Sequence, residues 1–196
     1  MADDTPPAAT PRASKNGPAD RAKNKSGKTA RTAKPANKRA VARLAAVQAL
    51  YQMDVAGGGA RDIIKEFELF RLRQDVEGET LRAIDLKWFE DLVAGVVAHQ
   101  RDIDGHIDRA LKEGWPLARI DLTLRALLRG AVYELTRQED VPARVAITEY
   151  VEVAKAFFGD EEPRLVNGVL DKIARKVRPG EFKASAGAQE RARRSG

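Results

Sequence analysis

The residues of this chain best suited to bind a charged ligand are two arginines one helical turn apart, Arg39 and Arg43, with Lys38 just before them. They lie in the segment KRAVARLAAVQALYQMD, residues 38–54, which has the apolar spacing of an amphipathic helix. Guanidinium and ammonium groups bind phosphate oxygens, and the start of a helix also favours an anion. The pattern indicates contact with RNA or DNA, although a basic pair at this spacing is also typical of a solvated helix face.

The apolar side chains of the same segment predict which face of the helix packs against the rest of the protein. On a helical wheel one side of this segment is apolar and carries Val41, Leu44, Ala45, Val47 and Tyr51. Arg39 and Arg43 fall on the opposite side. We therefore expect a helix that buries one face and leaves both arginines exposed together.

The rest of the chain offers little for catalysis or metal binding. The two histidines, His99 and His106, are seven residues apart, but Val96 and Ile103 stand where a di-metal helical bundle would carry glutamates. The chain has no cysteine, and its glycine triplet at 57–59 is not followed by the Lys-Ser/Thr of a phosphate loop. We therefore predict a protein that is not an enzyme and holds no metal or other cofactor.

A second basic helix is predicted near the carboxyl end, where Arg164 precedes the apolar-periodic stretch LVNGVLDKI. Asn167 and Gly168 interrupt this stretch, and glycine inside a helix costs about 1 kcal/mol relative to alanine. The favoured interpretation is a close approach between helices at Gly168, with Asn167 bonded to a neighbouring backbone.

The net charge of +6 is concentrated at the amino end of the chain. Residues 1–39 hold 10 Lys and Arg against 3 Asp and Glu, whereas residues 40–196 hold 25 against 26. Residues 1–36 contain no Val, Ile, Leu or aromatic residue, so we expect residues 1–37 to form a disordered basic arm. Such an arm either contacts nucleic acid or only improves solubility. Residues 179–196 are expected to be a second disordered tail.

Between these ends the sequence predicts an all-α fold of about seven helices joined by short links. The predicted helices cover about residues 38–55, 60–74, 83–111 (one helix, or two meeting near residue 100), 118–138, 143–158 and 163–177. Two small packed bundles suit this set, with subdomains at roughly 38–99 and 100–178. The chain has no apolar run long enough for a membrane span and no secretory signal, so we expect a cytoplasmic protein.

Five segments occur in an order and spacing that resemble a known family: AVQALYQMD, FEDLVAGV, LLRGAVYEL, DVPARVAITEYVEVAKAFF and LVNGVLDKI. Over about residues 38–178 the chain resembles the NusB family of bacterial transcription antitermination factors. The resemblance implies an all-helical, non-catalytic protein without a cofactor. It also implies binding to the boxA element of ribosomal RNA transcripts, together with NusE, a small-subunit ribosomal protein, in an antitermination complex with RNA polymerase.

The resemblance also assigns residues to the RNA site. The Arg-rich start of the family's first helix falls on Lys38, Arg39 and Arg43, although Ala40 and Val41 stand where relatives often carry further arginines. Tyr51 matches the family's tyrosine near the RNA and the partner. Arg164 and Leu165 match a Lys-Phe pair, so the aromatic ring of that pair is missing here.

Two other functions remain possible on the sequence. One is a helical protein–protein adaptor without specific RNA binding, in which the basic arm is a solubilising tail. The other is a small helical enzyme or metal carrier, for which the sequence supplies no ligand set.

Overall fold

The structure, a computed structural model, describes residues 37–71, 84–111 and 116–183 of the 196-residue chain. The α-helices are α1 (Lys38–Ala56), α2 (Ala60–Glu66), α3 (Leu86–Ala110), α4 (Leu122–Arg137), α5 (Ala143–Phe157) and α6 (Glu161–Val177). A π-helical turn lies at Phe67–Arg71, a 3-10 turn lies at Leu117–Arg119, and a last helical turn covers residues 179–183. The described residues form no β-strand. The predicted all-α fold is confirmed. The basic arm, apart from Asn37, and residues 184–196 lie outside the described residues.

Local signals set the ends of α1 where the sequence predicts them. The Asn37 side chain accepts a hydrogen bond from the Arg39 backbone N–H at 3.1 Å, as an N-cap does. At the other end Gly57 and Gly58 have φ angles of 76° and 106°, a region that side chains disfavour. The glycine triplet is therefore a helix stop, as predicted.

The long third helix is continuous but kinked. The sequence predicts one helix or two meeting near residue 100, and His99 has φ −115° and ψ 16°, outside the helical region. The His99 ring lies 6.3 Å from the Tyr133 ring on α4, centroid to centroid. The division of residues 38–178 into two subdomains near this point stays a prediction.

Two predicted boundaries differ most from the structure. Helix α4 begins at Leu122 rather than at residue 118, because the Asp121 side chain caps it by accepting from the Thr123 and Leu124 backbone N–H groups. Residues 179–183, placed in the disordered tail, form a further helical turn. This turn is anchored because the Phe182 side chain is buried and Glu181 accepts from the Ala143 N–H at 2.7 Å.

Helix α4 lies at the centre of the fold, in contact with α1, α3, α5 and α6. Its residues from Ala126 to Leu135 are all buried. Its carboxyl end is closed by Arg178, whose guanidinium donates to the backbone carbonyls of Glu134, Leu135, Gln138 and Val141 at 2.5–3.1 Å. One side chain therefore replaces water at the last carbonyls of the central helix.

Helices α3 and α4 approach most closely at Gly95. A Cβ atom built on Gly95 would lie 2.1 Å from Cζ of Tyr133, far inside van der Waals contact. The Tyr133 hydroxyl donates to Asp91 at 3.2 Å, which holds the ring in place. The glycine that close helix packing requires is thus Gly95.

The predicted close helix contact at Gly168 is wrong. Gly168 is exposed, and among the described residues no atom outside its own stretch of helix would lie within 4 Å of an added Cβ. The neighbouring Asn167 is also exposed. The glycine in this helix therefore has no packing role in the described part of the fold.

We expect Gly95→Ala to lower the free energy of unfolding by about 1–3 kcal/mol, because the new methyl group must displace the Tyr133 ring. Urea denaturation followed by circular dichroism measures the change. Gly159→Ala is the matched control, since no described atom outside its chain neighbours would meet the added Cβ within 4 Å. Equal stability of the two variants would contradict the assigned contact.

Candidate functional site

Helix α1 buries a different face from the one predicted. Its fully buried positions are mostly small residues, namely Ala42, Ala45, Ala46, Ala49 and, beside them, Val47 and Leu50. Val41 and Leu44 are only partly buried, and Tyr51 is 40% exposed. The prediction for Val47 is confirmed, Leu44 packs against the core while only partly buried, and the predictions for Val41 and Tyr51 are wrong. The alanines let the backbone of α1 lie close to α3 and α4. The face of α1 that is buried is therefore the one whose small side chains allow this close packing, and not the one with the largest apolar side chains.

Arg43 lies within the buried face, so the expectation that it is exposed for RNA is wrong. Its side chain is 2% exposed and pairs with Glu134 on α4, which is 0% exposed. Arg43 Nε donates to Glu134 Oε2 at 3.0 Å, Nη2 donates to Oε1 at 2.5 Å, and Nη1 donates to Glu149 Oε2 on α5 at 2.9 Å. A guanidinium held this way joins three helices and is not presented to a ligand.

The electrostatics of this cluster keep the arginine charged. Burial alone would lower the pKa of Arg43, but the hydrogen bond and negative charge of Glu134 outweigh it and raise the pKa above the ordinary value. Burial, followed by the charge of Glu134, raises the pKa of the adjacent Tyr150 hydroxyl well above its ordinary value. The cluster is therefore a charged arginine, two carboxylates and a neutral tyrosine.

The amino end of α1 does present positive charge. Lys38 is exposed, and the Arg39 side chain is 39% exposed, with its guanidinium 4.0 Å from the centre of the Trp88 ring. Arg39 also lies 3.4 Å from Asp140 and 3.7 Å from Asp85. Exposed pairs of this kind contribute about 1 kcal/mol or less, so an incoming phosphate can compete with them.

Tyr51 lies near the other end of α1, about 18 Å from Arg39 at the helical rise of 1.5 Å per residue. It lines an open cleft of about 530 Å³ whose other residues are Gln48, Gln52, Val55, Ala56, Thr123 and Phe157. The cleft joins α1 to the start of α4 and the end of α5. Sequence reasoning missed Phe157 as a neighbour of Tyr51, because the two residues are distant in the chain and only the fold brings them together.

The two predicted positions on α6 differ in exposure. Arg164 is exposed in the first turn, whereas Leu165 is partly buried against the core. Helix α6 packs on α3, α4 and α5, while α1 packs on α2 to α5. In the sequence, Arg164 follows the cleft residue Phe157 closely, because Phe157 ends α5 and α6 begins at Glu161.

No metal centre emerges from the part of the chain that the structure describes. Within it, no group of three or more His, Cys, Asp or Glu side chains is arranged to hold an ion. His106 lies 3.7 Å from Asp102 one turn away, the surface pair expected from their spacing. Among the described helices, none has the length and apolar character needed to cross a membrane.

Comparison with known proteins gives a consistent result. The model of the NusB family matches residues 40–175. The transcription antitermination protein NusB of Mesorhizobium japonicum is 56% identical over 143 residues, which are 73% of this chain and 92% of that protein. The protein of the same name from Rhizobium johnstonii is 54% identical over 151 residues, 77% of this chain and 94% of that protein.

Solved structures show the same fold. NusB from T. maritima superposes with a TM-score of 0.61 at 29% identity, covering 75% of this chain and 98% of that one. A chain from the crystal structure of antitermination factors NusB and NusE with double-stranded RNA gives a TM-score of 0.55 at 24% identity, covering 71% of this chain and 97% of that one. The second likeness is one of fold alone.

We expect Arg43→Ala to lower the free energy of unfolding by about 3–5 kcal/mol, because it leaves the carboxylate of Glu134 buried without its partner. Arg39→Ala on the same helix should cost about 1 kcal/mol or less, since its contacts are half exposed. Urea denaturation of both variants tests this. A small, equal cost for the two would mean that Arg43 is not held in the core as described.

Proposed function

This chain belongs to the NusB family, and from that membership we propose that it is a non-enzymatic transcription antitermination factor that binds the boxA element of ribosomal RNA transcripts together with NusE. The observation that carries the proposal is the match over residues 40–175, which spans α1 to α6. The names of the curated relatives, transcription antitermination proteins, support it. It would act in the cytoplasm, where bacterial transcripts are made.

The phosphate contacts in this proposal start at the amino end of α1. Among the described residues, Lys38 and Arg39 are the cations of that end that reach solvent. Neutralising RNA phosphates releases counterions, which drives binding. Arg43 is not an RNA contact in this proposal, because its Nε and Nη2 donate to Glu134 and its Nη1 donates to Glu149. Its role is to hold α1 so that the exposed residues keep their positions.

The base contacts in this proposal lie in the cleft around Tyr51. An exposed aromatic ring stacks on an unpaired base, and Phe157 provides a second ring in the same cleft. The Gln48 side-chain amide, also in the cleft, has the donor and acceptor that a base edge requires. The cleft therefore supplies an aromatic site that compensates for the ring missing at Leu165.

Arg164 and Leu165 extend the proposed surface onto α6. Arg164 is exposed and would contact phosphate. Leu165 is partly buried, so it would offer an apolar edge beside Arg164 rather than a stacking surface. The two continue the path that leads from the Tyr51 cleft across the end of α5.

NusE is the proposed protein partner, and the assembly would act on transcribing RNA polymerase. A NusB chain with the same fold was crystallised with NusE and double-stranded RNA. A partner that shares the RNA raises the overall affinity without new contacts on this chain, because the second contact becomes intramolecular. We therefore expect the RNA affinity of this chain to rise when NusE is present.

We expect the paired substitution Lys38→Ala/Arg39→Ala to weaken boxA RNA binding and to reduce the slope of log K against log salt by about 1.4, the value for two phosphate contacts with a single strand. Fluorescence anisotropy with labelled boxA RNA, with and without NusE, over a range of salt concentrations measures both quantities. Arg101→Ala, an exposed cation on α3, is the control.

An unchanged slope in the paired variant would remove these two residues from the site. If the wild-type protein binds NusE but neither boxA RNA nor a scrambled RNA, alone or with NusE, the chain acts as a protein–protein adaptor instead.

We expect Tyr51→Leu to weaken boxA RNA binding by about 5- to 150-fold, the loss of stacking on one base, with little change in the salt slope. Phe70→Leu is the matched control, because Phe70 is an aromatic residue that is 63% exposed and lies outside the cleft. The same anisotropy titration measures both variants. Equal affinities for the two would exclude the Tyr51 cleft as a base site.

A further inference from the structure

The carboxyl-terminal end of α1 has little apolar packing to hold it in place. Leu50 is the last buried residue of this helix. After it Tyr51, Val55 and Ala56, which line the cleft, are exposed, and Met53 is only partly buried against the core. The position of this wall of the cleft therefore depends on polar contacts.

Asp54 joins this end of α1 to α4. Its Oδ2 accepts a hydrogen bond from Arg125 Nε at 3.0 Å and lies 2.9 Å from Arg125 Nη2. Both of its oxygens accept from Arg129 Nη1, at 3.1 and 3.0 Å. The two arginines are one turn apart on α4, and Thr123, which lines the cleft from α4, lies two residues before the first of them. Asp54 therefore ties the α1 wall of the cleft to the α4 wall.

Arg129 is a fixed anchor for Asp54. Its side chain is 10% exposed, and its Nε and Nη2 donate to the two oxygens of Asp104 on α3 at 2.8 and 2.9 Å. A bidentate pair fixes the plane of the guanidinium, so the remaining Nη1 is held toward Asp54. Burial alone would lower the pKa of Arg129, but the hydrogen bonds and charges of Asp104 and Asp54 outweigh it and raise the pKa above the ordinary value. Asp54 thus docks on a cation that is charged and held by a third helix.

We propose that Asp54 is a positioning residue of the Tyr51 cleft: its ion pairs with Arg125 and Arg129 set the distance between the α1 and α4 walls and so hold the Tyr51 ring where an RNA base stacks on it. This inference rests on the proposed function, because it takes the cleft as the base site. Tyr51 lies one turn before Asp54, so a displacement of Asp54 moves the ring as well. A binding site must be held within about 0.5 Å of its productive geometry, and a small displacement therefore costs affinity.

The negative charge of Asp54 separates a positioning role from a direct effect of charge. A carboxylate repels the phosphates of RNA, so by charge alone its removal would strengthen RNA binding. If Asp54 holds the cleft in place, its removal weakens RNA binding instead. The two effects have opposite directions, and one titration distinguishes them.

The test is Asp54→Asn, which keeps the size of the side chain and removes its charge, titrated with fluorescein-labelled boxA RNA in the full-length protein. We expect RNA binding to weaken by about three- to tenfold, a part of the loss of stacking on one base, with an unchanged salt slope. Asp62→Asn is the matched control, because it removes the same charge from an exposed carboxylate in the first turn of α2. Wild-type or tighter RNA binding by Asp54→Asn would overturn the inference, and so would an equal loss in the two variants.

A double-mutant cycle with Tyr51→Leu shows whether Asp54 acts through the ring. Once the ring is absent, its position no longer matters, so Asp54→Asn should have no further effect on RNA affinity in the Tyr51→Leu background. An equal loss in both backgrounds would mean that Asp54 affects RNA binding elsewhere, and would overturn its role in the cleft.

Two further measurements examine the ion pairs themselves. In hydrogen exchange of the free protein, Asp54→Asn should speed the exchange of the amides of residues 53–56 and leave those of α4 protected. Asp54→Glu keeps the charge and should bind boxA RNA more tightly than Asp54→Asn does. Unchanged exchange at residues 53–56, or no recovery of affinity in Asp54→Glu, would mean that other contacts hold this end of α1.

Failure of the inference differs from failure of the proposed function. Absence of boxA RNA binding by the wild-type protein defeats the proposed function itself. Wild-type affinity in Tyr51→Leu removes the cleft as a base site and the inference with it. Weakened RNA binding in Tyr51→Leu together with wild-type binding in Asp54→Asn overturns the inference alone.

Discussion

The buried charge cluster around Arg43 is the interaction on which the arrangement of this fold depends. A guanidinium taken out of water must have its charge and its donors matched, and here Glu134 and Glu149 match them from two other helices. A rotation of α1 by one residue would leave the fully buried Glu134 carboxylate without a partner. The cluster therefore fixes the rotation of α1 about its own axis more strictly than its alanine-rich packing face could.

That fixed rotation decides which residues of α1 are exposed. With Arg43 turned inward, Tyr51 and Gln48 turn outward into the cleft that Phe157 completes. Arg39, one turn before Arg43, lies at the edge of the buried face, where it stacks on Trp88 and remains partly exposed. The basic end and the aromatic cleft are thus positioned by the same internal ion cluster, although neither touches the other.

The sequence predicted the parts of this fold that depend on local signals and failed where distant residues decide. The end of α1 at the glycine triplet and the start of α5 after Pro142 follow from backbone preferences that any sequence shows. The buried face of α1 was misjudged because the partner of Arg43 is a carboxylate 91 residues later, and nothing near Arg43 reveals it. Gly95 and Gly168 are both glycines inside predicted helices, and the sequence does not distinguish them. In the structure Gly95 packs against the Tyr133 ring, whereas no described atom outside its own stretch of helix would meet a Cβ at Gly168 within 4 Å.

The position of Arg178 in the sequence affects when its contacts with the end of α4 can form during synthesis of the chain. Arg178 is made after all six helices, yet its four backbone acceptors lie at the end of α4 and just before α5. While the chain is being synthesised, those carbonyls lack the guanidinium of Arg178 until that residue has left the ribosome. The junction of α4 with α5 is therefore completed only by residues from the far end of the folded chain, Arg178 and then Glu181.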